Sequence, residues 1–273
     1  MDHSNAEPSL STPAYQRRTP RTRLCRWALA LAAWGWQALP HAASAETDAP
    51  NVALREVDAV LVGSSSFNQS FGRIIQRELS RRGFQVVRKG VSGSGLARPD
   101  FRDMHQLLET LPISSETEVV VVYLGVNDTQ AAWLHPHERD GSGQTTVPFG
   151  VAEWDAIYSQ RARQFLERIC QRGAQRAVVV LPVDVDRPDM QRRLDRVREL
   201  QTQAAASTSC AAVVSTAGDE GHFDTGGLSR RMPDGFHMSA RGAQIVWDRI
   251  EARVMELLDT DPDPFGIGGD PTP

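Results

Sequence analysis

A serine hydroxyl becomes a working nucleophile only when a base can take its proton, and this chain carries both partners far apart in sequence. Gly63-Ser64-Ser65-Ser66 follows the apolar run 57–62 and precedes a stretch in which Phe71, Ile74, Ile75 and Leu79 recur at helical spacing. The pattern is strand, tight turn, helix, a setting in which free N–H groups at the helix start face a developing negative charge. Toward the other end, Pro233-Asp234-Gly235-Phe236-His237-Met238-Ser239 precedes a last amphipathic stretch. An aspartate three residues before a histidine can hold the Nδ1 proton while Nε2 faces a serine hydroxyl. Between the two, Gly125-Val126-Asn127-Asp128 follows the apolar run 119–124. An Asn amide and a Gly backbone N–H are the donor types an oxyanion hole needs.

In this order the blocks resemble those of the SGNH hydrolases, also called GDSL-like esterases. Gly63-Ser64-Ser65 stands for the family's Gly-Asp-Ser, and a glycine within Gly90 to Gly95 for its second block. Gly125-Val126-Asn127-Asp128 stands for Gly-x-Asn-Asp, and Asp234-Gly235-Phe236-His237 for Asp-x-x-His. The resemblance runs from about residue 57 to about residue 257. Ser94-Gly95-Leu96-Ala97-Arg98-Pro99-Asp100-Phe101 is also similar to an uncharacterised bacterial cell-envelope subgroup of that superfamily. One position departs: Ser64 stands where the family has an aspartate that supports the turn.

The resemblance implies a catalytic triad of Ser65, His237 and Asp234. It implies an oxyanion hole from the backbone N–H of Ser65, the side chain of Asn127 and the backbone N–H of Gly93 or Gly95, both of which qualify. Asp128 is then structural. The implied activity is ester hydrolysis through an acyl-enzyme, with no metal or organic cofactor. With the export signal described below, the implied substrate is an acylated small molecule or cell-envelope carbohydrate carrying a small acyl group. Two alternatives stand beside it: an O-acyltransferase using the same triad, and a glycan-binding domain that lost catalysis through the change at Ser64.

Positioning residues 65 and 237 together requires that both loops leave the same edge of a sheet. Short β-branched runs at 57–62, 84–88, 118–124, 177–182 and 211–215 alternate with amphipathic stretches at 68–82, 99–111, 151–172, 189–206 and 240–258. That alternation predicts an α/β fold with a five-stranded parallel sheet covered on both faces. It fits a flavodoxin-like three-layer α/β/α sandwich, which is also the fold the SGNH resemblance implies. No internal repeat is present.

Two other patterns compete for chemistry. Gly90-x-x-Gly93-x-Gly95 is similar to a nucleotide-binding glycine loop, but it follows the second strand and lacks the other dinucleotide features. His135-Pro136-His137-Glu138 invites a metal, yet Pro136 stiffens the loop and no distant third ligand is evident. The polar loop 129–149 around it offers Trp133, His135 and Phe149 as candidate cleft residues, able to stack on sugar rings or simply to pack.

The first 45 residues are set apart. Five arginines fall within 17–26, residues 27–39 are apolar apart from Gln37, and Ala43-Ser44-Ala45 follows. This is the pattern of a secretory signal with cleavage after Ala45, too short for a comfortable membrane span of roughly 20 apolar residues. The expected product is periplasmic or secreted, with no stable membrane insertion. Five of the 30 basic and two of the 34 acidic residues lie in that segment, leaving 25 against 32, and nucleic acid is not an expected partner. Residues 46–55 read as a linker, 56–258 as the hydrolase-like domain, and 259–273, rich in Pro, Gly and Asp, as a disordered tail. Cys170 and Cys210 follow the signal; they can pair in an oxidising compartment or sit as two buried thiols, and sequence alone does not choose.

Overall fold

The computed structural model describes residues 56–217 and 232–260, which belong to one compact unit. The signal segment and linker expected over 1–55, and residues 261–273 of the expected tail, lie outside the described residues. Asp259, the first residue of that tail, is instead the last residue of a helix.

Strands β1 (Ala59–Gly63), β2 (Val86–Gly90), β3 (Val119–Tyr123), β6 (Arg176–Val180) and β7 (Ala211–Val214) form one parallel sheet in the order β2-β1-β3-β6-β7. Renumbered without the small hairpin described below, this is the 2-1-3-4-5 order of flavodoxin-like folds. The strands are apolar at nearly every position because both faces are covered, and the two-residue period sorts their side chains. Val60, Val62, Val120, Val122, Ala177 and Val179 point into one core, while Ala59, Leu61, Val119, Val121, Val178 and Val180 point into the other.

The first core is covered by α3 (Met104–Glu109), α4 (Ala152–Gln171) and α5 (Pro188–Ala206), the second by α2 (Ser70–Arg81) and α6 (Ala240–Asp259). In α2 the buried residues include Phe71, Ile74, Ile75 and Leu79, the positions whose spacing predicts the helix. In α6 the buried stripe includes Val246, Trp247, Ile250 and Val254, and Ser239 caps the helix by accepting from Gly242 N–H at 3.0 Å.

Three boundaries differ from the sequence reading for local reasons. The helix expected over 68–82 begins at Ser70 as α2, because Gln69, at φ −98° and ψ −148°, leaves the helical region and separates it from a short α1 (Ser65–Asn68); Gly72 then packs on the Phe67 backbone, where a Cβ would lie 2.1 Å from its carbonyl oxygen. α3 starts five residues later than expected, since Asp103 supplies the cap, accepting from His105 and Gln106 N–H at 2.9 and 3.1 Å. The polar loop 129–149 contains a hairpin of β4 (Ala132–Trp133) and β5 (Thr146–Val147), whose two-residue strands are too short to show alternation. Cys170 and Cys210 form a disulfide, with Cα atoms 5.8 Å apart, tying the end of α4 to the start of β7.

Candidate active site

Ser65 is the first residue of α1, reached directly after the carboxyl end of β1. The turn survives the replacement of the family's aspartate because backbone contacts hold it. Ser64 is buried, its N–H donates to Tyr123 O at 3.1 Å, and its carbonyl accepts from Phe67 N–H at 3.1 Å. Arg88 adds a guanidinium bond to Phe67 O. Gly63 lies so near β3 that a Cβ there would stand 2.4 Å from Tyr123 O, which is why no side chain fits at the strand end.

The loop before α6 returns to this edge. Ser65 Oγ lies 2.6 Å from His237 Nε2, across 172 positions of sequence, and His237 Nδ1 lies 2.7 Å from Asp234 Oδ2. With a carboxylate beside Nδ1, that nitrogen keeps its proton and Nε2 presents its lone pair to the hydroxyl. The other Asp234 oxygen accepts from the N–H groups of Phe236 at 2.8 Å and His237 at 2.9 Å. Gly235, at φ +72°, permits this tight turn, and Met232 O accepts its N–H at 3.0 Å. Partial burial raises the pKa of Asp234. The hydrogen bonds from the His237 ring and from the two backbone N–H groups outweigh that, leaving the carboxyl below its ordinary value.

Asn127 sits in a 3-10 turn, residues 126–128, after Gly125 at φ +136°. Its Nδ2 donates to Ser94 O at 2.9 Å; an amide nitrogen has two hydrogens, so one stays available. Ser94 lies between the two second-block glycines, and these differ. Gly93 is exposed with φ +75°, and its N–H has no acceptor among the described residues. Gly95 is buried against the Asp128 carboxylate. Asp128, fully buried, accepts from Ala97 N–H at 2.7 Å and from Tyr158 Oη at 3.3 Å. Burial pushes its pKa up to about 7, against the lowering effect of those bonds.

The competing patterns resolve differently. Gly90 to Gly95 leads into a loop rather than a helix. In 135–138, Glu138 is committed to Arg161, at 2.5 Å, and to His135 N–H, at 2.7 Å. No cluster of three or more His, Cys, Asp or Glu able to hold a metal occurs among the described residues. Trp133 and His135 do line a cavity, of about 440 Å³, but none of Ser65, Asp234 and His237 borders it. Phe149 takes the packing alternative: it lies on Trp154, ring centroids 4.3 Å apart, with Arg193 over its ring at 5.4 Å. Phe101, Asp103 and Gln106, which share that cavity, gave no signal as a binding group because periodicity marks the helix but not which of its polar and flanking residues face a cavity. No helix among the described residues is long and apolar enough to cross a membrane.

No curated protein matches the chain. Among solved structures, LAE5, an alpha/beta hydrolase enzyme from the metagenome of Lake Arreo, Spain, is similar with a TM-score of 0.52 and 16% identity, over 74% of this chain and 96% of its own. Axe2, an acetylxylan esterase from Geobacillus stearothermophilus, gives 0.52 and 17% over 75% and 94%. At such identities the likeness is one of fold. The match that covers residues 59–253 is to a family model, and by it the chain, with its blocks in SGNH order, belongs to the SGNH-like family described as "Protein of unknown function (DUF459)".

Proposed function

We propose that the protein is an exported serine esterase of SGNH type that removes a small acyl group from a carbohydrate. The observation that carries this is the 2.6 Å contact of Ser65 Oγ with His237 Nε2, backed by the 2.7 Å contact of Nδ1 with Asp234. His237 takes the Ser65 proton as Oγ attacks the ester carbonyl carbon. The oxyanion is held by the N–H groups of Ser65 and Gly93 and by the second Asn127 amide hydrogen. His237 then gives its proton to the leaving alcohol, and the acyl group stays on Ser65. Water, deprotonated by His237, attacks the acyl-enzyme and releases the acid. Of the two candidate glycines, Gly93 has the exposed N–H, while Gly95 serves as a spacer against Asp128.

The carbohydrate ester is supported by the fold shared with an acetylxylan esterase. Export is supported by the arginine-rich, apolar and Ala-Ser-Ala sequence of residues 17–45 and by the Cys170–Cys210 disulfide, which persists in oxidising compartments. The test is Ser65→Ala: turnover of p-nitrophenyl acetate disappears while circular dichroism is unchanged, and a fluorophosphonate labels Ser65 in the parent protein. Full residual activity in Ser65→Ala removes Ser65 from the mechanism. Absent labelling together with glycan binding favours the binding-domain alternative.

A further inference from the structure

We propose that the cavity between residues 99–110 and the β4 hairpin is a subsite for a neutral glycan chain, with Phe101 and Trp133 as its stacking platforms. This rests on the carbohydrate-ester reading of the Ser65 site and adds a second place where the sugar chain is held.

The first ground is an aromatic side chain outside both cores yet fixed in place. Phe101 is 66% exposed and lines the cavity. The Arg98 guanidinium lies over its ring at 4.4 Å, and Arg98 is itself gripped by both Asp100 oxygens, at 2.8 and 2.7 Å, and by Gln130 at 3.0 Å. A buttressed ring loses little freedom when a ligand covers it, which favours binding. Trp133 and His135 contribute further ring surface to the same cavity.

The second ground is the polar rim. Asp103 spends Oδ1 on the cap of α3, leaving Oδ2 as an acceptor, and the Gln106 amide has no partner among the described residues. Ring faces for the C–H side of a pyranose, beside fixed acceptors and donors for its hydroxyls, are complementary to a sugar. The acids of the rim are matched by Arg98 and Arg102, so no net charge selects an ionic ligand. About 440 Å³ lies within the roughly 300–1,000 Å³ of small-molecule sites.

The third ground is placement. The loop that leaves β2 carries Gly93 and then Phe101; the loop that leaves β3 carries Asn127 and then Trp133. Trp133 N–H to Ala97 O, at 2.8 Å, and Arg98 to Gln130 join the two loops. A glycan seated on Phe101 is thus held by the same loops that frame the Ser65 site.

The experiment is isothermal titration of the protein with unsubstituted xylohexaose, cellohexaose and chitohexaose, which require no turnover. At least one binds, and Phe101→Ala and Trp133→Ala each weaken it by about tenfold or more, the loss typical of a central aromatic anchor. Arg163→Ala, on the outer face of α4, keeps parental affinity. Phe101 is exposed, so its variant folds; circular dichroism checks the Trp133 variant. No binding of any probe at 10 mM, or binding that both variants retain, overturns the subsite. Binding by a parent protein that turns over no p-nitrophenyl acetate and takes no fluorophosphonate label on Ser65 would instead sink the hydrolase reading and leave the subsite standing.

Discussion

Gly95 and Asp128 touch: a Cβ on Gly95 would stand 2.3 Å from the Asp128 Oδ1 atom. The contact fastens the loop after β2 to the loop after β3, and Ala97 N–H donates to the same oxygen at 2.7 Å. Asn127 repeats the link one residue earlier through its 2.9 Å bond to Ser94 O. The two loops that supply the proposed oxyanion donors are therefore one packed unit, and their geometry depends on a glycine that has no steric substitute.

Gly95→Ala tests this directly. The nearest atoms belong to a short, fully buried carboxylate, not to the end of a flexible chain, so neither side can yield easily. Overpacking of this kind costs about 1–3 kcal/mol. Urea denaturation should show a loss in that range, with a lower kcat on p-nitrophenyl acetate because Asn127 shifts with the loop. An unchanged midpoint would mean that the Asp128 loop is soft and the coupling weak.

The same carboxyl makes stability depend on pH. Asp128 titrates at about 7 in the folded protein, raised from 3.8 by burial. A carboxyl with a raised folded pKa binds its proton more tightly when folded. Its contribution is thus most favourable below about pH 4, declines as pH rises toward 7, and is flat above. Roughly three units at about 1.4 kcal/mol each give about 4 kcal/mol at most. Asp128→Asn lacks this titration, so its stability relative to the parent should improve by up to that amount between pH 4 and pH 8. A stability difference between the two proteins that stays constant across this range would contradict a buried, proton-holding Asp128.

The chain displays its strands and main helices openly because each strand of the parallel sheet is a short run carrying at least two valines, and α2, α4, α5 and α6 each repeat apolar residues at helical spacing. The order of the blocks likewise points to the Ser65, Asn127 and His237 loops, since each follows a strand or precedes a helix. What stayed hidden depends on contacts rather than period. The β4 hairpin has two residues per strand, and the choice between Gly93 and Gly95 turns on where the Asp128 side chain goes. Phe149 looks like Trp133 in sequence, yet only packing separates the residue laid against the core from the one at the cavity. The disulfide was equally unreadable, because 40 positions of separation say nothing of a 5.8 Å Cα distance.

Kinetics should separate the two sides of the proposed Ser65 site. In Asp234→Asn the remaining oxygen can keep the Phe236 and His237 N–H bonds, but an NH₂ group then faces His237 Nδ1. The imidazole is driven to the tautomer with its proton on Nε2, which cannot accept from Ser65. A kcat loss of about 10⁴ is expected. Asn127→Ala removes one oxyanion donor and should cost about 10²–10³ in kcat with KM little changed. Both are read on p-nitrophenyl acetate, with thermal denaturation checking the fold. If Asn127→Ala raised KM and left kcat alone, the side chain would be binding ground-state substrate rather than the oxyanion.

Reduction of the disulfide should act on stability without reaching the proposed chemistry. Cys170 lies at the end of α4 and Cys210 just before β7, both at the amino edge of the sheet, whereas Ser65 lies at the carboxyl edge. Closing a loop of 40 positions restricts the unfolded chain by about 2–4 kcal/mol. Cys170→Ser with Cys210→Ser, or the parent in dithiothreitol, should therefore unfold at lower urea by that amount. At 25 °C, where the folded form still dominates, kcat and KM on p-nitrophenyl acetate should stay within about twofold, because α4 and β7 remain packed through Ala162, Phe165 and Val214 on the two faces of the sheet. A large fall in kcat with the fold intact would show that strain at this edge of the sheet reaches the Ser65 site.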